Sequence, residues 1–280
     1  MSQKDGNVSN RCFARLSKAA YIELNLFLLA LSFFTRIPVP NCMRYSEVLL
    51  NKSNRYFSLV GLFLGCLLSL CYLILSVFLP IPVAVLLTMS ISLLLTGAFH
   101  EDGLADMVDG IGGAFSIEKR LIIMKDSRIG TYGTSALFMA LLLKFSLLVE
   151  LARMTDGYVV MAFILSAALS RAVAGSFIAC LPYVSDVQDS KSKPLAQAQS
   201  SQERKLLLAI GVLPLIFLPV TVIITLILLM IIFHKVFKHW LIAKLGGFTG
   251  DCLGAAQQIS ELLIYIVLVV YWSNLNGVII

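Results

Sequence analysis

Apolar residues dominate the chain in long runs, and the lengths of those runs predict its elements. "YFSLVGLFLGCLLSLCYLILSVFL" (56–79) and "IPVAVLLTMSISLLLTGAF" (81–99) are each long enough to cross a bilayer as a helix, and Pro80 between them predicts a tight hairpin. "GTSALFMALLLKFSLLVEL" (133–151) and "YVVMAFILSAALSRAVAGSFIACL" (158–181) predict a second hairpin around "ARMTDG". The earlier "IELNLFLLALSFF" (22–34) is too short for a full crossing and stops at the prolines of "TRIPVP", so it predicts a re-entrant or interfacial helix. The run 206–233 is too long for one ordinary span and carries Pro214 and Pro219, while 255–272 predicts a last span. Polar stretches at 100–132 and 182–205 read as a long loop and a linker.

Charge decides how the 206–233 run is cut. Lys and Arg cluster in the N-terminal arm and around 36–55, 119–128, 191–205 and 235–244. One continuous helix would put Lys235, Lys238 and Lys244 opposite the other clusters. A break near Leu218–Pro219 returns them to the same side, as the positive-inside bias requires. The expectation is an all-α, polytopic membrane bundle of about seven transmembrane helices plus the short N-terminal element. A basic arm (1–20) precedes a single integral membrane domain (21–280). The segments 100–132, 182–205 and 244–254 then share the cytoplasmic face.

Composition agrees: of 280 residues 59% are hydrophobic and 14% charged, which excludes a soluble domain. The net charge of +6 is accounted for by topology, so no nucleic-acid partner is expected. The basic start has no small-residue cleavage site after an apolar core and is read as a cytoplasmic extension, not a signal peptide. Six cysteines without CxxC spacing indicate neither a disulfide framework nor a zinc site.

Candidate chemistry gathers where an apolar run meets acids, in "TGAFHEDGLADMVDGIGG" (96–113). Asp102, Asp106 and Asp109 stand at i, i+4 and i+7, within about 60° on a helix surface. Like charges so placed repel unless a cation compensates, and hard carboxylate oxygens suit Mg²⁺ or Mn²⁺. Glu101 points off that face by about 100° and is left out of the ligand set. A solvated acidic face is the plainer alternative. "MKDSRIGTYG" (124–133) adds Lys125, Asp126, Ser127 and Arg128, a mix suited to a phosphate bridged to a metal. "GGFTGDCLGA" (246–255) offers Thr249, Gly250 and Asp251; its glycines free amides for phosphate or let helices pack closely, and Asp251 binds metal or caps a helix. Arg171, inside a span, points to a functional or paired role rather than a lipid-facing one.

"HEDGLADMVDG", "RLIIMKDSRIGTYG" and "LGGFTGDCLGAA", in this order, resemble the cobalamin synthase family of adenosylcobinamide-GDP ribazoletransferases, as do the early "FFTRIPVP" and "YFSLVGLFLG". The resemblance covers about residues 24–265. Ser58 stands where the family usually has Pro, Glu101 where it has an apolar residue, and Ala98 where it has Gly. The resemblance implies a Mg²⁺-dependent enzyme in the bacterial inner membrane, with its site facing the cytoplasm. It would join adenosylcobinamide-GDP to α-ribazole or α-ribazole 5′-phosphate and release GMP. By motif, Asp102, Asp106, Asp109, Asp126 and Asp251 carry over as metal or catalytic candidates, and His100, Lys125 and Arg128 as substrate contacts. Membrane lipid is an implied partner, and assembly into a homo-oligomer is left open. A phosphoalcohol transferase with a CDP-linked donor would use the same physics, but "DGLAD" lacks the D-G-x-x-A-R pattern. A cation transporter would place its acids near the bilayer midplane on broken helices, not in a long surface segment.

Overall fold

The computed structural model describes residues 17–184 and 198–275. Most of the basic arm and of the 182–205 linker, Cys12 and the end of the chain lie outside the described residues. The described chain is helical throughout, with one isolated parallel bridge, Tyr183 with Phe248. In order the helices are α1 (Lys18–Phe34), α2 (Glu47–Ser53), α3 (Phe57–Phe78), α4 (Ile81–Thr96), α5 (Phe99–Gly113), α6 (Ile117–Met124), α7 (Thr131–Met154), α8 (Asp156–Ser176), α9 (Ser201–Val212), α10 (Val220–Leu245) and α11 (Gly250–Leu275).

Local chemistry explains most boundaries. Pro80 and Pro219 stand as the N-caps of α4 and α10, so both proline breaks fall where the sequence puts them. Ser200 and Glu203 form a reciprocal capping box at the start of α9. Among the described residues five helices are long and apolar enough to cross a membrane, or up to six if α4 and α5 count as one bent span. That is fewer than seven because α9 has only 12 residues before a 3₁₀ turn at Leu213–Phe217, and α4 passes only together with α5. α1 is the short apolar helix expected.

The chief departure is the 100–132 segment, which is two helices and not a loop. α4 ends at Gly97 (φ +64°) and Ala98 (φ +55°), two successive left-handed residues, and α5 leaves at 85° to α4. Ser116 caps α6 by accepting from the Lys119 N–H. Buried Arg120 then ties α6 to the end of α10, donating to the Lys244 carbonyl at 2.7 Å and to the Ala114 carbonyl at 2.9 Å.

The core forms around α8, buried along most of its length and packed on α3, α9 and α11. Small residues allow the close approach. A Cβ on Gly65 of α3 would come within 2.7 Å of the Ile164 backbone, so the two helices touch main chain to main chain. α10 differs: it packs mainly on α11 and α6 and leaves most of its apolar surface facing outward. Long apolar helices exposed in this way make the protein an integral membrane protein.

Candidate active site

The acidic face forms where α5 crosses the start of α11. A Cβ on Gly103 would lie 3.0 Å from the Asp251 Cα and carbonyl oxygen, and one on Gly254 would lie 3.0 Å from the His100 carbonyl. The backbones are therefore in contact, and a side chain at either glycine would force them apart by a few tenths of an ångström. This crossing draws Asp102 and Asp106 of α5 toward Asp251 of α11, more than 140 residues later in the chain. Asp106 is half-buried within the field of Asp102, Asp251 and Asp109, while Asp102 is exposed. Thr249, not Asp251, caps α11: its hydroxyl accepts from the Cys252 N–H at 3.4 Å and donates to Asp251 Oδ2 at 3.2 Å. The Asp251 carboxylate is thus oriented by Thr249 and is not itself the helix cap. The Tyr183–Phe248 bridge pins the loop before it, with hydrogen bonds of 3.0 Å between Val184 and Phe248 and between Phe248 and Pro182.

Asp109 is differently engaged. It is buried, and its two oxygens accept from the N–H groups of Gly130 (2.7 Å) and Gly133 (2.8 Å) at the first turn of α7. A carboxylate there satisfies orphan amides and opposes the helix dipole. Asp126 pairs with Arg128 through both oxygens in the solvent-exposed turn before α7, and the guanidinium holds its carboxyl down at about 2. Lys125 and Ser127 are exposed in the same turn.

Two expected substrate contacts lie elsewhere. His100 and Arg171 are buried behind the acidic face, lining a polar chamber inside the bundle. The His100 ring lies nearly parallel to those of Phe57 (5.6 Å) and Phe34 (6.3 Å), which stack on each other, and Arg171 donates to the Ala167 carbonyl at 3.0 Å beside the Phe57 ring. The chamber holds polar groups that sequence reasoning passed over. Glu261 pairs with Lys144 at 2.9 Å and accepts from Gln257 and Tyr265, and Gln258 donates to Glu101 at 2.9 Å and to Gln257 at 2.8 Å. His100 Nε2, Glu101 Oε2 and Arg171 Nε lack hydrogen-bond partners around a cavity of about 20 Å³, the size that holds one water. The signal was present: an acid and two amides at i, i+1 and i+4 in a membrane span rarely face lipid.

Among the described residues no three His, Cys, Asp or Glu side chains converge tightly enough to cage a metal alone. Asp102, Asp106 and Asp251 fit an ion held by one or two carboxylates and completed by phosphate oxygens, the habit of Mg²⁺. Asp109, with both oxygens on α7, fits that role least.

Fold and site together define a class: a helical integral membrane protein with a carboxylate face and a glycine-rich wall suited to phosphate chemistry. The model of the cobalamin-5-phosphate synthase family, CobS, matches residues 26–269, and the chain belongs to that family. A Vibrio vulnificus protein named adenosylcobinamide-GDP ribazoletransferase is 56% identical over 247 residues, covering 88% of this chain and 96% of that protein. Proteins of the same name from Vibrio parahaemolyticus (51% over 253 residues; 90% and 95% covered) and Shewanella pealeana (49% over 248 residues; 89% and 96% covered) are similar. No solved structure matches the chain.

Proposed function

We propose that the protein is a membrane adenosylcobinamide-GDP ribazoletransferase. It joins adenosylcobinamide-GDP to α-ribazole or its 5′-phosphate and releases GMP, in the bacterial inner membrane with the acidic end toward the cytoplasm. The carrying observation is the contact of Gly103 with Asp251, which brings two acidic elements of a cobalamin-5-phosphate synthase family member into one face. A ribose hydroxyl of the acceptor attacks the cobinamide-linked phosphorus. A new P–O bond forms, the bridge to the GMP phosphorus breaks, and the hydroxyl proton passes to a carboxylate of the face. A bound Mg²⁺ would supply neutralisation of the pyrophosphate charge, with Asp102, Asp106 and Asp251 as its holders. Thr249 keeps the Asp251 carboxylate aimed into the face, amides beside Gly250 are available to phosphate oxygens, and Arg128 with Lys125 forms a basic rim. The basic residues that collect at this end support a cytoplasmic orientation by the positive-inside bias.

The test is GMP release by the purified protein in lipid vesicles, with each acceptor in turn, with chelator and with Mg²⁺ restored. Turnover should stop with chelator and recover with Mg²⁺. Asp102→Asn and Asp106→Asn should each lose at least about 100-fold. Full turnover in both variants would reduce the face to a solvated acidic patch.

A further inference from the structure

A second site of different character lies on the far side of α8, where α9 and α10 run antiparallel without closing on each other. Between them is an open groove of about 350 Å³. Its floor is apolar: Leu169 and Val173 of α8, Leu208 and Val212 of α9, Ile227 and Ile231 of α10. Its mouth is basic, formed by Arg204 at the start of α9 and by His234 and Lys235 on α10. No acid lines it. From Arg204 to Val212, and from Lys235 back to Ile227, is eight residues of helix, about 12 Å. The groove thus runs from a cationic end to an apolar end over a fixed length.

Two features distinguish the mouth. The His234 ring lies flat on Phe177 at 4.3 Å, which fixes its orientation, and its Nε2 is buried with no hydrogen-bond partner. Neither Arg204 nor Lys235 makes an ion pair among the described residues, and the Arg204 and Lys238 charges reach the His234 ring. Two cations unpaired among the described residues and a histidine ring, at one end of an apolar trough on a lipid-facing helix, match a phosphate with an acyl chain attached. We propose that this groove is a binding site for one anionic phospholipid, its phosphate held by Arg204, His234 and Lys235 and one acyl chain lying between α9 and α10.

The experiment measures the melting temperature of the purified protein in a neutral detergent while phosphatidylglycerol, phosphatidylcholine or inorganic phosphate is titrated. Phosphatidylglycerol well above its Kd should raise Tm by about 5 °C, and phosphatidylcholine and inorganic phosphate should not. The double substitution Arg204→Gln and Lys235→Gln should abolish the shift. Val212→Trp, which fills the trough and spares the mouth, should abolish it too. Both variants must melt like the wild type in detergent alone; a variant that does not is replaced by Lys235→Gln or Val212→Phe, read the same way. Equal shifts with both lipids, a full shift with inorganic phosphate, or a shift that survives both variants would overturn the proposal. So would disulfide cross-linking between two chains through Cys placed at Ile227, because a second copy would then occupy the groove.

Discussion

Replacing Asp109 by Asn separates two roles that the sequence leaves merged. The wild-type carboxylate accepts from two backbone N–H groups at the start of α7, at 2.7 and 2.8 Å, while buried. Asn keeps one acceptor oxygen and turns an NH₂ toward the other amide, so one charged hydrogen bond becomes a donor facing a donor. Losing a hydrogen bond to a charged group costs about 1.5–3 kcal/mol. Removing the negative charge from the helix N-terminus costs about 0.3–1 kcal/mol more. The sum is about 3 kcal/mol, which lowers Tm by about 6–12 °C. Thermal unfolding in detergent and specific activity well below Tm, measured on one preparation, check this. Asp109→Asn should melt early yet keep most of its turnover per folded molecule, whereas Asp102→Asn should melt normally and lose turnover. A wild-type Tm with turnover down 100-fold in Asp109→Asn would refute the reasoning and make the residue a reacting group.

Ala98→Gly relieves a left-handed Ala (φ +55°), worth about 1–2 kcal/mol, against about 0.4–1 kcal/mol of extra unfolded-chain entropy; Tm should rise by about 2 °C, and a fall would show that the bend is not strained. Lys144→Met leaves Glu261 charged and without its ion-pair partner in the core and should destabilise by about 3–5 kcal/mol. Adding Glu261→Gln should recover much of that in denaturant or thermal melts, and an additive double variant would mean that the pair is not coupled. In a background lacking the native cysteines, Cys at Gly157, where a Cβ meets nothing within 4 Å, should label with an impermeant thiol reagent in intact cells, and Cys at Gln202 or Ser127 should not. The reverse pattern would turn the protein over in the membrane.

The break at Pro219 was legible because a proline and a charge pattern agree on it, and the Asp102–Asp106 part of the acidic face because its i, i+4 spacing falls on a real helix, while Asp109 at i+7 turns to α7. The helical nature of 100–132 was partly legible: Ser116 followed by Glu118 signals the start of α6, but the glycines and charges around it read as loop. The partner of Asp109 was not legible, since nothing local says that a helix start 21 residues on will point its amides back. Glu261 was overlooked for the opposite reason. Its local signal, an acid with two amides in a span, was present, but it gains a meaning only when Lys144, on another helix, comes within 2.9 Å.

The buried chamber also sets an order of events during synthesis. Lys144, Arg171 and Glu101 enter the membrane with α5, α7 and α8, but Glu261, Gln257 and Gln258 belong to α11, the final described helix. Until α11 inserts, two cations share one acid, Glu101, and Lys144 stands in the half-built bundle without Glu261 to neutralise it, an expensive arrangement in lipid. The same helix brings Asp251 to Asp102 and Asp106. A chain arrested before α11 therefore lacks one of the acidic elements of the face and carries one uncompensated cation. The arrival of one helix joins the acidic elements and balances the buried charge together.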